Sequence, residues 1–179
     1  MLDNIMYVVC YESSMIRLYN MDTRSPLDVV INIDGMICPV DIVVCRDDRQ
    51  LYVADEFTDI WRVSVADQSY VLWLSTPSTT DRFSVTTLSV TSRRLLVTSW
   101  WPSPHLRQYS MSDRPQLLRV IKLPQYVEDV YHGVETTHGT FVVIHHGTSQ
   151  DEQQDVVSEV REVLSFVSLH SYNVELSVY

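Results

Sequence analysis

The sequence predicts an all-β fold, a β-propeller of four-stranded antiparallel blades with about four blades present. Three observations point there. A unit of about 45 residues recurs, with Ile16, Ile60, Leu106 and Val157 opening the third strand of successive units at steps of 44, 46 and 51 residues. Each unit is a series of short β-branched and aromatic runs separated by clusters of turn-forming residues. The unit matches the size of one propeller blade, which has two apolar faces and buries them by stacking on its neighbours.

The elements follow in chain order. In the first unit Tyr7 to Cys10, Met15 to Tyr19 and Leu27 to Asn32 read as second, third and fourth strands; its first strand is missing. The second unit is the clearest. Pro39 to Val44 is apolar, Arg46 to Arg49 a polar turn, and Leu51 to Ala54 a second strand. Ile60 to Val65 alternates with period two, and Tyr70 to Leu74 is the fourth strand. Ser75 to Asp81 is a run of turn formers without periodicity. In the third unit the strands are Thr87 to Val90, Leu95 to Ser99, Leu106 to Tyr109 and Leu117 to Ile121. The fourth unit has Val130 to Glu135, Phe141 to Ile144, a polar insertion from His146 to Asp155, then Val156 to Val160 and Val163 to Val167. Asp151 to Phe166 also carries some helical spacing, but its β-branched content favours strand. The expected organisation is a single propeller domain over 1–179. Its blades span about 1–35, 36–76, 82–123 and 126–169, with 170–179 as an extra strand or tail.

Composition bounds the function. Hydrophobic residues make up 45% and charged residues 20%, as in a globular chain. A net charge of -10 argues against wrapping a phosphate backbone, so nucleic acid is not the expected partner. Three cysteines, an odd number without a C-x-x-C pair, suggest a reducing compartment and a cytoplasmic location. The N-terminus has no basic region followed by a long apolar run, so no secretory signal is read there, and no segment approaches a membrane span.

Within the second unit, Pro39, Ile42-Val43-Val44, Leu51-Tyr52-Val53-Ala54-Asp55 and Ile60-Trp61-Arg62-Val63 together resemble the NHL repeat. That repeat has a proline, an apolar first strand, an "lyVaD" second strand and an apolar third strand. The match covers about 25 residues as a motif. In the other units Tyr11 or Glu12, Ser99 and His145 stand near the place of Asp55. Lactonase-like and YWTD propellers share the pattern. NHL propellers commonly have six blades, so two explanations stay open. The chain is part of a larger propeller, or Asn173 to Tyr179 supplies the missing strand of a four-bladed ring. The resemblance implies a scaffold that binds a protein or peptide. RING, B-box and coiled-coil sequences are lacking, so ligase activity does not carry over.

Four groups of residues are candidate sites. The loop Trp100-Trp101-Pro102-Ser103-Pro104-His105 is the favoured contact surface, because exposed tryptophan is common in binding hot spots. Trp100, Trp101, His105 and, beside the polar insertion, His146 are the expected binding residues. His132, His138, His145 and His146 fall in one blade with Glu135. Adjacent strand residues point to opposite faces, so His145 and His146 cannot serve one site together. Asp41, Asp55 and Asp59 are carboxylates of the kind that hold Ca²⁺ in some propellers, but Asp55 is expected to cap its own turn. Tyr52, Trp61, Tyr70 and Trp73 are expected in the core. No catalytic residue, metal site or cofactor is assigned, and no G-x-S-x-G, P-loop or H-E-x-x-H pattern occurs. A non-enzymatic interaction module is the expected function. A metal-dependent lactonase- or lyase-like propeller enzyme, and a gene fragment that self-associates through open blade faces, are the alternatives.

Overall fold

The computed structural model describes residues 1–55, 59–75, 84–91, 94–99, 105–124, 126–146, 155–160 and 171–172. Its strands form four antiparallel sheets. Sheet 1 is β1 (Ile5–Val9), β2 (Met15–Asn20) and β3 (Ser25–Asn32). Sheet 2 is β4 (Pro39–Cys45), β5 (Gln50–Asp55), β6 (Asp59–Ser64) and β7 (Tyr70–Ser75). Sheet 3 is β8 (Val85–Thr91), β9 (Arg94–Ser99), β10 (His105–Ser110) and β11 (Leu117–Lys122). Sheet 4 is β12 (Glu128–Glu135), β13 (Phe141–His146), β14 (Asp155–Val160) and β15 (Ser171–Tyr172). In each sheet the strands lie side by side in chain order, as the blade pattern predicts. Sheet 1 has three strands, matching its missing first strand.

The fourth strand of sheet 4 differs from expectation. Ser171–Tyr172 pairs with Val157 and Ser158 and fills that place, whereas Val163 to Val167 lies outside the described residues. Spacing alone favours the nearer apolar run. Asp155–Val160 is a strand, as its β-branched residues require.

Local chemistry sets the turns. Glu12 and Arg49 take left-handed backbone at φ 59° and 52° in the β1–β2 and β4–β5 turns. Gly139 does so at φ 75°, and its N–H donates to Thr136 O at 3.0 Å. Gly35 sits at φ 96° before β4, and a Cβ there would lie 3.3 Å from the Trp61 ring.

The sheets stack through three apolar cores. Between sheets 1 and 2 lie Tyr7, Ile16, Leu18 and Ile31 against Leu51, Val53, Trp61 and Val63. Between sheets 2 and 3, Tyr52, Ala54, Ile60 and Trp73 meet Val85, Leu88, Leu95, Val97 and Tyr109. Between sheets 3 and 4, Leu96, Leu106 and Ile121 meet Val130, Phe141, Val143 and Val160. The period of two explains how one strand serves two cores. In β5, Leu51 and Val53 face sheet 1 while Tyr52 and Ala54 face sheet 3; β9 divides its residues between sheets 2 and 4 in the same way. Tyr52, Trp61 and Trp73 are buried and Tyr70 half-buried, in line with expectation. Tyr52 and Trp73 meet edge to face at 5.0 Å, and the Trp73 Nε1–H donates to Ser112 O at 2.8 Å, fixing sheet 2 to sheet 3.

The innermost strands are also tied by hydrogen bonds. Asp41 of β4 accepts from the Leu88 N–H of β8 at 2.7 Å, and the Ser89 hydroxyl donates to Gly133 O of β12 at 2.8 Å. At Gly133 a Cβ would stand 3.0 Å from a Leu106 methyl and 3.2 Å from Thr98 Oγ1. Gly133→Val is therefore expected to lower stability by roughly 1–3 kcal/mol through overpacking, measured as a reduced urea midpoint at unchanged slope.

Candidate interaction surfaces

Strand order repeats from sheet to sheet, so strand ends on the same side of every sheet flank the second-to-third-strand connections. They are residues 10–14, 56–58, 100–104 and 147–154, and all but the first lie outside the described residues. Trp100 and Trp101 are therefore outside them, and of His146 only the backbone, at the end of β13, is described. Their anchors are placed: Ser99 pairs with His105, and His146 with Asp155.

His105 is 6% exposed, and its Nε2 accepts the Arg107 Nε–H at 2.9 Å. It stands at the base of the tryptophan loop as a buried support. The sequence pattern places His105 in the loop, whereas it is the first residue of β10 and turns inward. The other histidines are dispersed. His145 is buried with its Nε2 2.9 Å from Ser158 Oγ, His132 lies on the opposite side of sheet 4, and His138 is exposed in the β12–β13 turn.

The aspartates are engaged with backbone. Asp55 is 3% exposed, and its two oxygens accept the N–H groups of Ile37 and Cys38, each at 2.9 Å. These bonds clamp the segment that leads into β4. The described contacts of Asp55 thus run to the start of its blade rather than to its own turn, which sequence spacing does not indicate. Asp41 accepts from Ile42 N and Leu88 N. Among the described residues no three His, Cys, Asp or Glu side chains converge as metal ligands would.

A polar network that the sequence pattern does not signal joins sheets 3 and 4. Glu135 accepts the Gln108 amide at 2.6 Å and pairs with Arg119 at 3.1 Å and Arg94 at 3.7 Å. Arg119 also donates to Gln108 Oε1 at 3.0 Å and lies 4.9 Å over the Phe141 ring. These cations are committed to structure. Arg62 pairs with Asp113, and Arg49 with Asp3.

Burial pushes the Tyr52 phenol up to about 12, while the neighbouring Arg62 partly opposes the rise. The unfolded chain releases this proton near pH 10 and the folded chain holds it to about 12. Stability from Tyr52 is therefore complete below pH 10 and lost as pH rises toward 12. Chemical denaturation of wild type and Tyr52→Phe across pH 9–12 is expected to show a further fall of about 2–3 kcal/mol confined to wild type.

Two sheet faces have no partner sheet among the described residues. One side of sheet 1 carries Met6, Val8, Met15, Arg17, Tyr19 and Val30. The opposite side of the stack, on sheet 4, carries His132, Val134, Val142, Ile144, Val157 and Glu159. No helix among the described residues is long and apolar enough to cross a membrane.

Stacked four-stranded antiparallel sheets, joined in chain order, define the β-propeller class. Among solved structures the chain is similar to the N-terminal domain of Nup159, a β-propeller, at a TM-score of 0.59 and 8% identity. The match covers 96% of this chain and 46% of that one, so the chain spans about half the length of the propeller it resembles. In all, 217 chains of solved structures match, so the architecture is widely used and the likeness fixes the fold alone. No protein-family model matches the sequence, and no curated protein matches it.

Proposed function

We propose that the chain is a non-enzymatic protein-binding module built on propeller blades of the NHL type and working in the cytoplasm. The observation that carries this reading is that in every sheet the strand ends bordering the second-to-third-strand connections lie on the same side of a rigid stack. Such loops are where a scaffold of this kind presents contacts. Two of them hold the Trp100-Trp101 pair and the polar stretch after His146. The carboxylates that could have served chemistry, Asp41 and Asp55, are taken up by backbone N–H groups. The NHL reading is supported by Pro39 opening β4 and by Leu51 to Asp55 forming β5, with the motif's aspartate holding the start of the blade. The cysteines are free, in keeping with a reducing compartment.

The double variant Trp100→Ala/Trp101→Ala tests the proposal. It is expected to lose the proteins that immobilised wild type retains from a cell extract, while its thermal midpoint stays within about 2 °C. An unchanged set of retained proteins at unchanged stability would refute the binding role of this loop.

A further inference from the structure

We infer that the free edge of β11 is a docking site for an extended acidic segment of a partner protein, which adds to sheet 3 as a fifth strand. The inference concerns the side of the stack. It goes beyond the proposed tryptophan-loop contact and does not depend on it.

The backbone and the apolar side chains carry the first part. β11 is the last strand of its sheet and pairs with β10 alone. In such a strand alternate residues aim their N–H and C=O groups outward, and an added strand bonds to these. The side chains along the edge are apolar and open. Leu117, Leu118 and Val120 are 49%, 48% and 43% exposed. Three such aliphatics in four positions of an edge strand form a surface that a second strand would cover.

The occupant follows from charge. The last strands of sheets 1 and 2 also expose aliphatics, Val29 and Val30 on β3 and Val71 and Leu72 on β7. Their settings are acidic: residues 20–32 hold Asp22, Arg24 and Asp28, and residues 64–75 hold Asp67 alone. Residues 105–122 reverse this, with Arg107, Arg114, Arg119 and Lys122 against Asp113, in a chain of net charge -10. Asp113 is drawn to Arg62 of sheet 2 at 2.9 Å. Arg107 and Arg119 are engaged with His105 and Glu135. Arg114, ahead of β11, and Lys122, at its end, are exposed and have no ion-pair partner among the described residues. The edge is thus aliphatic along its length with an unpaired cation toward each end. Carboxylates on an added strand match those cations, whereas a cationic strand is repelled by them. The exposed aliphatics between the cations favour a peptide over a nucleic acid, whose phosphates would leave them uncovered.

Fluorescence anisotropy on the whole chain tests this. The probe is a labelled nonapeptide with glutamate at both ends and valine alternating with threonine between them. Wild type is expected to bind it saturably, and more weakly as sodium chloride is raised. Lys122→Glu and Arg114→Glu each reverse one exposed charge and are each expected to weaken binding about fivefold, with the wild-type circular dichroism spectrum. The Trp100→Ala/Trp101→Ala protein is expected to bind the peptide like wild type, which separates this site from the loop contact. Two further peptides carry N-methyl groups on complementary sets of alternate amides. The one methylated toward β11 is expected to bind about tenfold more weakly than the other, because its ladder donors are gone. Equal binding of the two methylated peptides, equal binding of a peptide with lysine ends, or tighter binding of single-stranded DNA than of the peptide would overturn the inference. So would the absence of binding by wild type at about 1 mM peptide.

Discussion

Phe141→Ala is expected to be the most damaging single substitution, with a loss of about 3–5 kcal/mol. Phe141 is 0% exposed in the core between sheets 3 and 4, where it packs with Leu96, Leu106 and Val143. Its removal deletes a large apolar side chain and leaves a cavity in the core between sheets 3 and 4. It also removes the surface on which Arg119 lies, and Arg119 is the hub linking Gln108 to Glu135. The apolar and polar parts of this junction should therefore fail together. Against a total stability of roughly 5–15 kcal/mol, the loss is a large fraction. Urea denaturation checks the magnitude. Phe141→Leu, which keeps most of the volume, is expected to cost under about 1.5 kcal/mol.

Asp55→Ala is expected to cost about 3 kcal/mol for a different reason. The side chain is small, and little packing is lost. What is lost is the acceptor for two N–H groups, those of Ile37 and Cys38, in a buried position. Each hydrogen bond to a charged group is worth about 1.5–3 kcal/mol, and a buried donor left without a partner bears the full desolvation penalty. Asp55→Asn keeps one acceptor oxygen and turns an amide NH₂ toward the other N–H, so about 2 kcal/mol is expected. Hydrogen exchange should locate the damage. Both the Ile37 and Cys38 amides are expected to lose protection in Asp55→Ala and one of the two in Asp55→Asn, while those of β9 keep it. If the two amides stay protected, the clamp is not what holds the start of the blade.

These two residues show how far the sequence can be read. The strands of sheet 2 are legible because their runs are short, β-branched and separated by polar turns. The repeat is legible because Ile16, Ile60 and Leu106 hold one structural position, each facing the following sheet at 0% exposure. Burial of β5 on both faces is also visible in hindsight as an unbroken apolar run, Leu51 to Ala54, where a half-exposed strand would alternate. Longer-range partnerships leave no local signal. The Asp55 acceptors meet N–H groups 17 and 18 residues earlier, and backbone donors have no side-chain signature. Glu135 and Gln108 are 27 residues apart, on different sheets. His105 reads as a loop residue because two prolines precede it closely, yet β10 begins with it and turns it inward. The fourth strand of sheet 4 is misplaced by pattern alone because its true segment, Ser171–Tyr172, is short and polar, while an apolar run lies nearer.

The central claim is that the sheets are consecutive blades, so that sheets 2 and 3 are covered on both faces by their neighbours. Methyl nuclear Overhauser effects from β5 test it most directly, because alternate residues of one strand must then report different sheets. Val53 methyls are expected to contact Ile16 and Leu18 of sheet 1, and the Ala54 methyl to contact Leu95 and Val97 of sheet 3. If Val53 and Ala54 shared one set of neighbours, or if either faced solvent alone, the blade stack would be contradicted.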